Sequence, residues 1–261
     1  MTTQILNGIA VEVSGEGAPL LCIHGLGGSS NTWTPVLSAF AEFQVIRFDL
    51  PGSARSVLGD TPLSIELYVQ TVEQVLEALN VDQVHVVAHS MGTIVAAHFA
   101  AKHPQRVKSL AMFGPLLAPP DAGRPGIQAR ADTARLGGPV AMQEIADAIV
   151  KAATSQQTKD EQPAVLTLVR ESIMRQTAEG YGQSCAALAK AQPAEVERIS
   201  APVLLVTGDQ DGVAPAWSVG DYGDRLADSR VVVFEGCGHW TTFEKPQSCI
   251  SELKKFYATV K

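Results

Sequence analysis

Long apolar runs are missing from this sequence of 261 residues. A membrane-spanning helix needs roughly 18 or more consecutive apolar residues, and no stretch approaches that length. The first residues also lack the basic start and the apolar run of a signal peptide. We therefore expect a cytoplasmic protein that does not bind a membrane.

Cysteine is scarce, and the four residues are Cys22, Cys185, Cys237 and Cys249. They are too scattered for a disulfide framework and form none of the close pairs of a zinc site. We interpret them as free thiols. No HExxH motif or carboxylate cluster is present either, so we expect no metal.

Positive charge is in deficit, because 20 Lys and Arg residues face 27 Asp and Glu residues and leave a net charge of -7. An acidic surface repels phosphate backbones and anionic lipid, which argues against nucleic acid as a partner. The content of 46% hydrophobic and 18% charged residues is typical of a compact soluble protein. The length favours one domain with a large insertion.

Short β-branched runs indicate the strands. Asn7-Gly8, between Gln4–Leu6 and Ile9–Val13, is the signal for a two-residue hairpin, because both turn positions need positive φ. The later runs lack alternation, which is typical of parallel strands buried on both faces. These runs are Leu20–Ile23, Val45–Phe48, Val84–Ala88, Val107–Phe113, Val203–Thr207 and Val231–Phe234.

Helical patterns separate these strands. Ser64–Leu79 begins with a candidate N-cap serine and carries one apolar face. Met91–His103 stops before a proline, and Pro246–Tyr257 starts with one. Strands that alternate with helices predict a doubly wound α/β sheet with right-handed crossovers.

One long region breaks this alternation. Residues 117–198 contain no convincing strand but show helical spacing in Val140–Val150 and Ala164–Met174. We predict a helical cap here, inserted into a core of residues 1–116 and 199–261.

The segment around Ser90 carries the strongest chemical signal. A buried strand that ends at Ala88-His89 runs directly into a helix that begins with Met91-Gly92. This is the nucleophile elbow GxSxG, with alanine in place of the first glycine. Small residues are needed because the sharp turn packs the backbone closely. The following helix offers unpaired N–H groups to an oxyanion, so we predict that Ser90 is a nucleophile.

With this elbow, the sequence resembles the α/β-hydrolase family, and the family's other landmarks follow in its order over nearly the whole chain. The resemblance implies a mostly parallel eight-stranded sheet with helices on both faces and a helical cap. Leu21–Gly28 is similar to the family's strand and HGxG oxyanion loop. By this likeness, the N–H groups of Leu26 and Met91 would bind the oxyanion. Asp49–Ser56 is similar to the DxxGxGxS turn, departs from it at Ala54, and is interpreted as structural.

A serine hydroxyl needs a neutral imidazole to take its proton. His239 lies in a glycine-rich loop after the last strand, where the family places its base. His24 belongs to the oxyanion loop, and the side chain of His89 should point away from Ser90. His85, on a strand, is interpreted as a packing residue. His98 and His103, on the following helix, are given no chemical role.

The imidazole must in turn be held by a buried carboxylate. Val203–Pro215 is similar to the family's strand and GxxD acid loop, which makes Asp211 the acid and leaves Asp209 to the turn. The alternative position of the acid, after the strand that follows the elbow, reads Phe113-Gly114-Pro115 and cannot ionise. The order Ser, Asp, His is that of α/β-hydrolases.

The substrate is expected between the sheet edge and the cap, in contact with Gly25, Trp33, Leu116 and Trp240. Each tryptophan could equally be a core residue. The segment Asp132–Val150 resembles, more weakly, the cap of 3-oxoadipate enol-lactonases, although His24 and Thr93 depart from that subgroup's pattern. An enol-lactonase needs a cation for its substrate's carboxylate. The candidates are Arg124, Arg130, Arg135, Arg170 and Arg175.

These features predict a cofactor-free serine hydrolase of a small carboxylic ester or lactone, which reacts through an acyl-enzyme on Ser90. A serine at the elbow argues against the dehalogenase and epoxide hydrolase subgroups, which carry aspartate there. The alternatives are hydrolysis of a carbon–carbon bond in a ring-cleavage diketone, a small-molecule receptor that has kept the triad, and a cofactor-free oxygenase or perhydrolase. The oligomeric state and the identity of the acyl and alcohol parts stay open.

Overall fold

The molecule is built around a central sheet. A computed structural model describes residues 2–260. Within that range eight strands form one sheet in the order β1-β2-β4-β3-β5-β6-β7-β8. The pairs β1/β2 and β2/β4 are antiparallel and all other neighbours are parallel. The strands are β1 (Thr2–Leu6), β2 (Ile9–Ser14), β3 (Ala18–Ile23), β4 (Phe43–Phe48), β5 (Val84–His89), β6 (Val107–Phe113), β7 (Val203–Gly208) and β8 (Ser229–Phe234). The predicted eight-stranded, mostly parallel sheet is confirmed.

The predicted hairpin forms as its sequence requires. Asn7 and Gly8 both have positive φ, at 50° and 82°, and Leu6 pairs with Ile9 across the turn. Most other strands match their predicted runs to within two residues. The last strand also agrees to within two residues: it starts at Ser229 rather than at Val231, because Ser229 and Arg230 carry no hydrophobic signal.

Helices cover both faces of the sheet. They are α1 (Ile65–Ala78), α2 (Met91–Lys102), α3 (Arg124–Ala153), α4 (Gln156–Glu161), α5 (Pro163–Met174), α6 (Ala178–Lys190), α7 (Ala216–Asp224), α8 (Thr241–Glu244) and α9 (Pro246–Thr259), with a 3₁₀ helix at Ser30–Phe40. Ser64 caps α1 as predicted, because its hydroxyl accepts a hydrogen bond from the amide of Leu67 at 3.1 Å. The prediction missed the 3₁₀ helix, which contains Pro35.

Alternate side chains of the strands point to opposite faces of the sheet and belong to two separate hydrophobic layers. Leu21 and Ile23 of β3 pack with α1, α2 and α7 on one face. Leu20 and Cys22 of the same strand pack with the 3₁₀ helix and α9 on the other. Because the strands are buried on both sides, they read as continuous apolar runs. No helix within residues 2–260 is both long and apolar enough to cross a membrane.

The connection between β6 and β7 contains the helices α3, α4, α5 and α6. Helices α3, α5 and α6 form a third hydrophobic cluster, which also includes Trp240 and Phe243. Helix α3 is interrupted at Gly138, whose φ of 59° and ψ of -141° are not helical. This interruption explains why the predicted helical pattern begins only at Val140. The division into a core and a cap of residues 117–198 stays a prediction.

Candidate active site

Ser90 occupies the corner between β5 and α2. Its φ of 52° and ψ of -125° are unusual for a residue other than glycine and cost on the order of 1–3 kcal/mol. The corner is held because the Ser90 amide donates to the carbonyl of Phe113 on β6 at 2.9 Å. A Cβ on Gly92 would lie 2.5 Å from the carbonyl oxygen of His24. The turn therefore needs glycine at that position to pack against β3.

Loops after three different strands bring Ser90, His239 and Asp211 together. The Nε2 atom of His239 lies 2.8 Å from the hydroxyl of Ser90. Its Nδ1 atom lies 2.8 Å from Oδ2 of Asp211. The strands that precede these residues, β5, β7 and β8, run parallel, so their carboxyl ends share one edge of the sheet. The three residues are 8%, 5% and 3% exposed.

Asp211 is held as an acceptor on both oxygens. Oδ1 accepts the amides of Val213 and Ala214, each at 2.8 Å. Burial by itself raises the pKa of Asp211, but the charge and hydrogen bond of His239, together with the two amides, outweigh burial and lower the pKa to about 2. An ionised carboxylate at Nδ1 fixes the tautomer in which Nε2 can accept a proton. The side chain of Asp209, by contrast, accepts the amide of Cys237 at 3.1 Å.

The loop after β3 lies directly beside Ser90. A Cβ on Gly25 would be 2.7 Å from Cβ of Ser90. Among residues 2–260, neither the Leu26 amide nor the Met91 amide donates to a protein acceptor, so both N–H groups are free for a ligand. His24 shapes the loop, because its Nδ1 donates to the carbonyl of Gly25 and its Nε2 accepts the amide of Leu50, both at 2.8 Å.

His89 packs beside His239 instead of facing solvent. Its Nε2 donates to the backbone carbonyl of His239 at 2.9 Å, and the two ring centroids are 5.1 Å apart. Burial and the nearby His239 lower the pKa of His89 to about 3. The ring is therefore neutral at ordinary pH. Its Nδ1 atom is buried without a hydrogen-bond partner in the described part of the chain.

The residues predicted to contact the substrate lie in different surroundings. Trp33 is fully buried and packs edge-on against Phe113 beneath the sheet edge, which favours the core role that the sequence left open for it. Trp240 stacks on Phe243 within the cluster of α3, α5 and α6, and its Nε1 has no partner within residues 2–260. Leu116 donates its amide to Thr93, one turn after Ser90.

The cap arginines differ in their partners. Arg124 binds the carbonyls of Ala189 and Ala191, while Arg135 and Arg170 form salt bridges with acids of the cap. Arg175 is exposed. Arg130 is half-buried, and its Nε has no hydrogen-bond partner among residues 2–260.

The surroundings of Arg130 lie close to the oxyanion loop. The Arg130 guanidinium lies close to Tyr181 and within hydrogen-bonding reach of the Cys185 thiol, both on α6. Cε2 of Tyr181 is 3.3 Å from where a Cβ of Gly27 would stand. The hydroxyl of Tyr181 is buried and also unpartnered in the described range.

Sequence reasoning missed one side chain at the site. Glu244 is 2% exposed and accepts the amides of Gly238 and Trp240, the two neighbours of His239. No local pattern could have identified it, because its remaining partners come from the cap. Within residues 2–260, no group of three or more His, Cys, Asp or Glu side chains could hold a metal ion.

A serine at a strand-to-helix corner, faced by a histidine and an acid on later loops of a mostly parallel sheet, defines an α/β hydrolase. The family described as alpha/beta hydrolase fold matches residues 18–246. This chain belongs to that family.

Known proteins resemble it over nearly its whole length. An uncharacterized protein of Mycobacterium tuberculosis is 27% identical over 96% of this chain and 78% of its own. An esterase from Thermogutta terrifontis with malate bound has a TM-score of 0.90 at 22% identity, over 97% of this chain and 93% of that one. The enol-lactonase from Burkholderia xenovorans has a TM-score of 0.88 at 22% identity, over 98% and 100%. At these identities the structural likeness shows the fold alone.

Proposed function

We propose that the protein hydrolyses a small carboxylic ester or lactone, with Ser90 as nucleophile, His239 as base and Asp211 as its orienting acid. The observation that carries the proposal is the unbroken chain of two contacts, each 2.8 Å long, from the Ser90 hydroxyl through the imidazole to the Asp211 carboxylate. Both similar solved structures are named for enzymes of this kind, an esterase and an enol-lactonase.

The chemistry follows from the atoms present. The Ser90 oxygen attacks the substrate carbonyl while its proton passes to Nε2 of His239. The resulting oxyanion accepts the free amides of Leu26 and Met91; one such donor is typically worth about 3 kcal/mol in the transition state. His239 then gives the proton to the departing alkoxide, which leaves an acyl-enzyme. Water, activated by the same imidazole, releases the acid and restores Ser90.

We propose further that the substrate carries a free carboxylate. A buried donor without an acceptor is costly, and the Nε of Arg130, a half-buried residue, has no hydrogen-bond partner within the described residues. Arg130 lies on α3 close to Tyr181 and Cys185 of α6, and Tyr181 contacts Gly27 in the loop that carries Leu26. We expect the cap of residues 117–198 to bind the acyl or lactone part of the substrate and Arg130 to bind its carboxylate.

The first experiment tests the nucleophile. Labelling of the wild type by a fluorophosphonate probe should map to Ser90 and should be abolished in Ser90→Ala. The labelling should persist in the control variant Ser218→Ala, because the Ser218 hydroxyl donates to the carbonyl of Pro215. Unchanged labelling of Ser90→Ala would refute the assignment.

The second experiment tests the substrate class. Paired esters of equal length, one with a terminal carboxylate and one with a terminal methyl, are compared in the wild type, Arg130→Met and Arg135→Met. Loss of a charge-assisted pair should lower kcat/KM for the carboxylate ester about 10- to 100-fold in Arg130→Met. The neutral ester and the Arg135→Met variant should change little. Equal losses on both esters would exclude a carboxylate site at Arg130.

A further inference from the structure

The loop that carries His239 is fastened to the cap by one buried carboxylate. Oε2 of Glu244 accepts the amide of Gly238 at 3.0 Å, and its Oε1 accepts the amide of Trp240 at 3.2 Å. These two amides flank His239. The same Oε2 accepts the Ser155 amide at 2.8 Å and the Thr158 hydroxyl at 2.9 Å.

The four partners of this carboxylate define what can replace it. All are N–H or O–H donors on uncharged groups, so the site needs a group that only accepts. A carboxylate has two accepting oxygens, whereas an amide has one and presents an NH₂ on the other side. Glutamine at position 244 would have the same size, yet at least one donor would face another donor. An unsatisfied buried donor is strongly unfavourable.

Other contacts tie the same stretch of the cap to the same edge of the sheet. The His239 amide donates to the carbonyl of Ala153, the last residue of α3, at 2.9 Å. The Gln156 amide donates to the side chain of Gln210, next to Asp211, at 2.8 Å. The end of α3 and the start of α4 therefore contact the loops of both the base and the acid. In the part of the chain that the structure describes, only Glu244 bonds both to Gly238 and Trp240 and to Ser155 and Thr158 of the predicted cap.

We propose that Glu244 is a positioning residue for the base: its carboxylate fixes the two amides beside His239 against the start of α4 and so keeps the imidazole in line with Ser90. The proposal rests on the proposed role of His239 in ester hydrolysis. It gives the cap a part in the reaction itself, in addition to covering the substrate. A displacement of the base by about 1 Å can cost on the order of 100-fold in rate, so a loop of this kind must be held firmly.

The test compares Glu244→Gln with Glu252→Gln. Glu252 is a partly exposed acid of α9 that pairs with Arg230 and Lys255. In Glu244→Gln, we expect kcat on a small ester to fall about 10- to 100-fold while KM changes by less than about threefold, because the binding surface stays intact. The rate of fluorophosphonate labelling at Ser90 should fall by the same factor. Glu252→Gln should behave as the wild type.

A second variant removes one donor from the cap side and leaves the carboxylate in place. Thr158→Val is nearly isosteric, and we expect kcat to fall about three- to tenfold, again at constant KM. In the double variant the two losses should not multiply, since both act through one carboxylate.

The outcomes separate this proposal from the proposed function. A wild type that neither labels at Ser90 nor hydrolyses esters would refute the function. A wild type that does both, beside a folded Glu244→Gln with unchanged kcat or with a loss only in KM, would refute the positioning role. If Glu244→Gln does not melt cooperatively, Thr158→Val decides, and an unchanged kcat in that variant overturns the proposal.

Discussion

Ser90 and His239, the proposed nucleophile and base, occupy the same edge of the sheet, but they are held in different ways. Ser90 is fixed by its own turn, with a positive φ and one backbone hydrogen bond to the next strand. His239 lies on a loop that is held by Asp211, His89 and Ala153 from far along the chain and, through the nearby Glu244, by Ser155 and Thr158. The conformation of Ser90 is set mainly by its own turn, which we call the local half of the site. The position of His239 is set by tertiary contacts, which we call the tertiary half. Substitutions should therefore act differently in the two halves.

The largest effect is expected at the acid, in the tertiary half. Asp211→Asn keeps the shape but replaces an accepting oxygen with a donor, which favours the wrong tautomer of His239. We expect kcat to fall about 10⁴-fold. The control is Asp209→Asn, two residues earlier, which should retain nearly full activity. Ester hydrolysis by the purified variants measures both, and the reverse order of losses would assign the acid to Asp209.

The next effect is expected where the loop after β3 packs against Ser90. A methyl group on Gly25 would stand 2.7 Å from Cβ of Ser90 and 2.9 Å from the carbonyl oxygen of His89. Gly25→Ala should therefore displace the oxyanion loop and reduce kcat about 100-fold or more, comparable to the loss of an oxyanion donor. Gly126→Ala is the control, because its Cβ would meet nothing within 4 Å. Equal activity of Gly25→Ala and the wild type would mean that the loop is not confined as described.

His89 is the neighbour of Ser90 in the chain and donates a hydrogen bond to the carbonyl of His239. Its titration should affect how the free energy of unfolding depends on pH. Its pKa is lowered from 6.5 to about 3 by burial and by His239, so the fold favours the neutral ring. The stability that comes from keeping the His89 ring neutral is fully present above pH 6.5 and is lost as the pH falls towards 3. The free energy of unfolding should therefore decline by about 1.4 kcal/mol per pH unit from this residue alone.

The variant His89→Gln tests this, since its amide can still donate to the carbonyl of His239 but does not titrate. Its unfolding free energy, measured in urea between pH 6.5 and 4, should fall less steeply than that of the wild type. Identical slopes would show that His89 is not the titrating group.

The smallest effect is expected where the chain departs from its family's glycines. Ala54 has a positive φ of 46°, so Ala54→Gly should relieve strain and stabilise the fold by up to about 1 kcal/mol, raising Tm by about 2 °C. Ala88 lies in β5 and is buried, so Ala88→Gly should destabilise instead, by about 1 kcal/mol. Thermal melts compare the two, and shifts of the same sign would contradict the strain at Ala54.

Much of the architecture was accessible before any coordinates, because it depends on short-range signals. The hairpin follows from Asn7-Gly8, the strands from β-branched runs, and α1 from its serine cap and apolar face. The 3₁₀ helix at Ser30–Phe40 escaped prediction because Pro35 and its polar residues resemble a loop. The first half of α3 was missed because Gly138 interrupts its pattern.

The sequence by itself determined the elbow at Ser90, since strand, turn and helix are contiguous there and only small residues fit the corner. Through family likeness it also pointed to His239 and Asp211. Only the tertiary structure decided that Trp33 packs in the core, that the Nε of Arg130 has no partner within residues 2–260, and that Glu244 joins the loop of His239 to Ser155 and Thr158. The physical reason is range: a backbone turn is fixed by adjacent residues, whereas a buried polar group is defined by partners that only folding brings near.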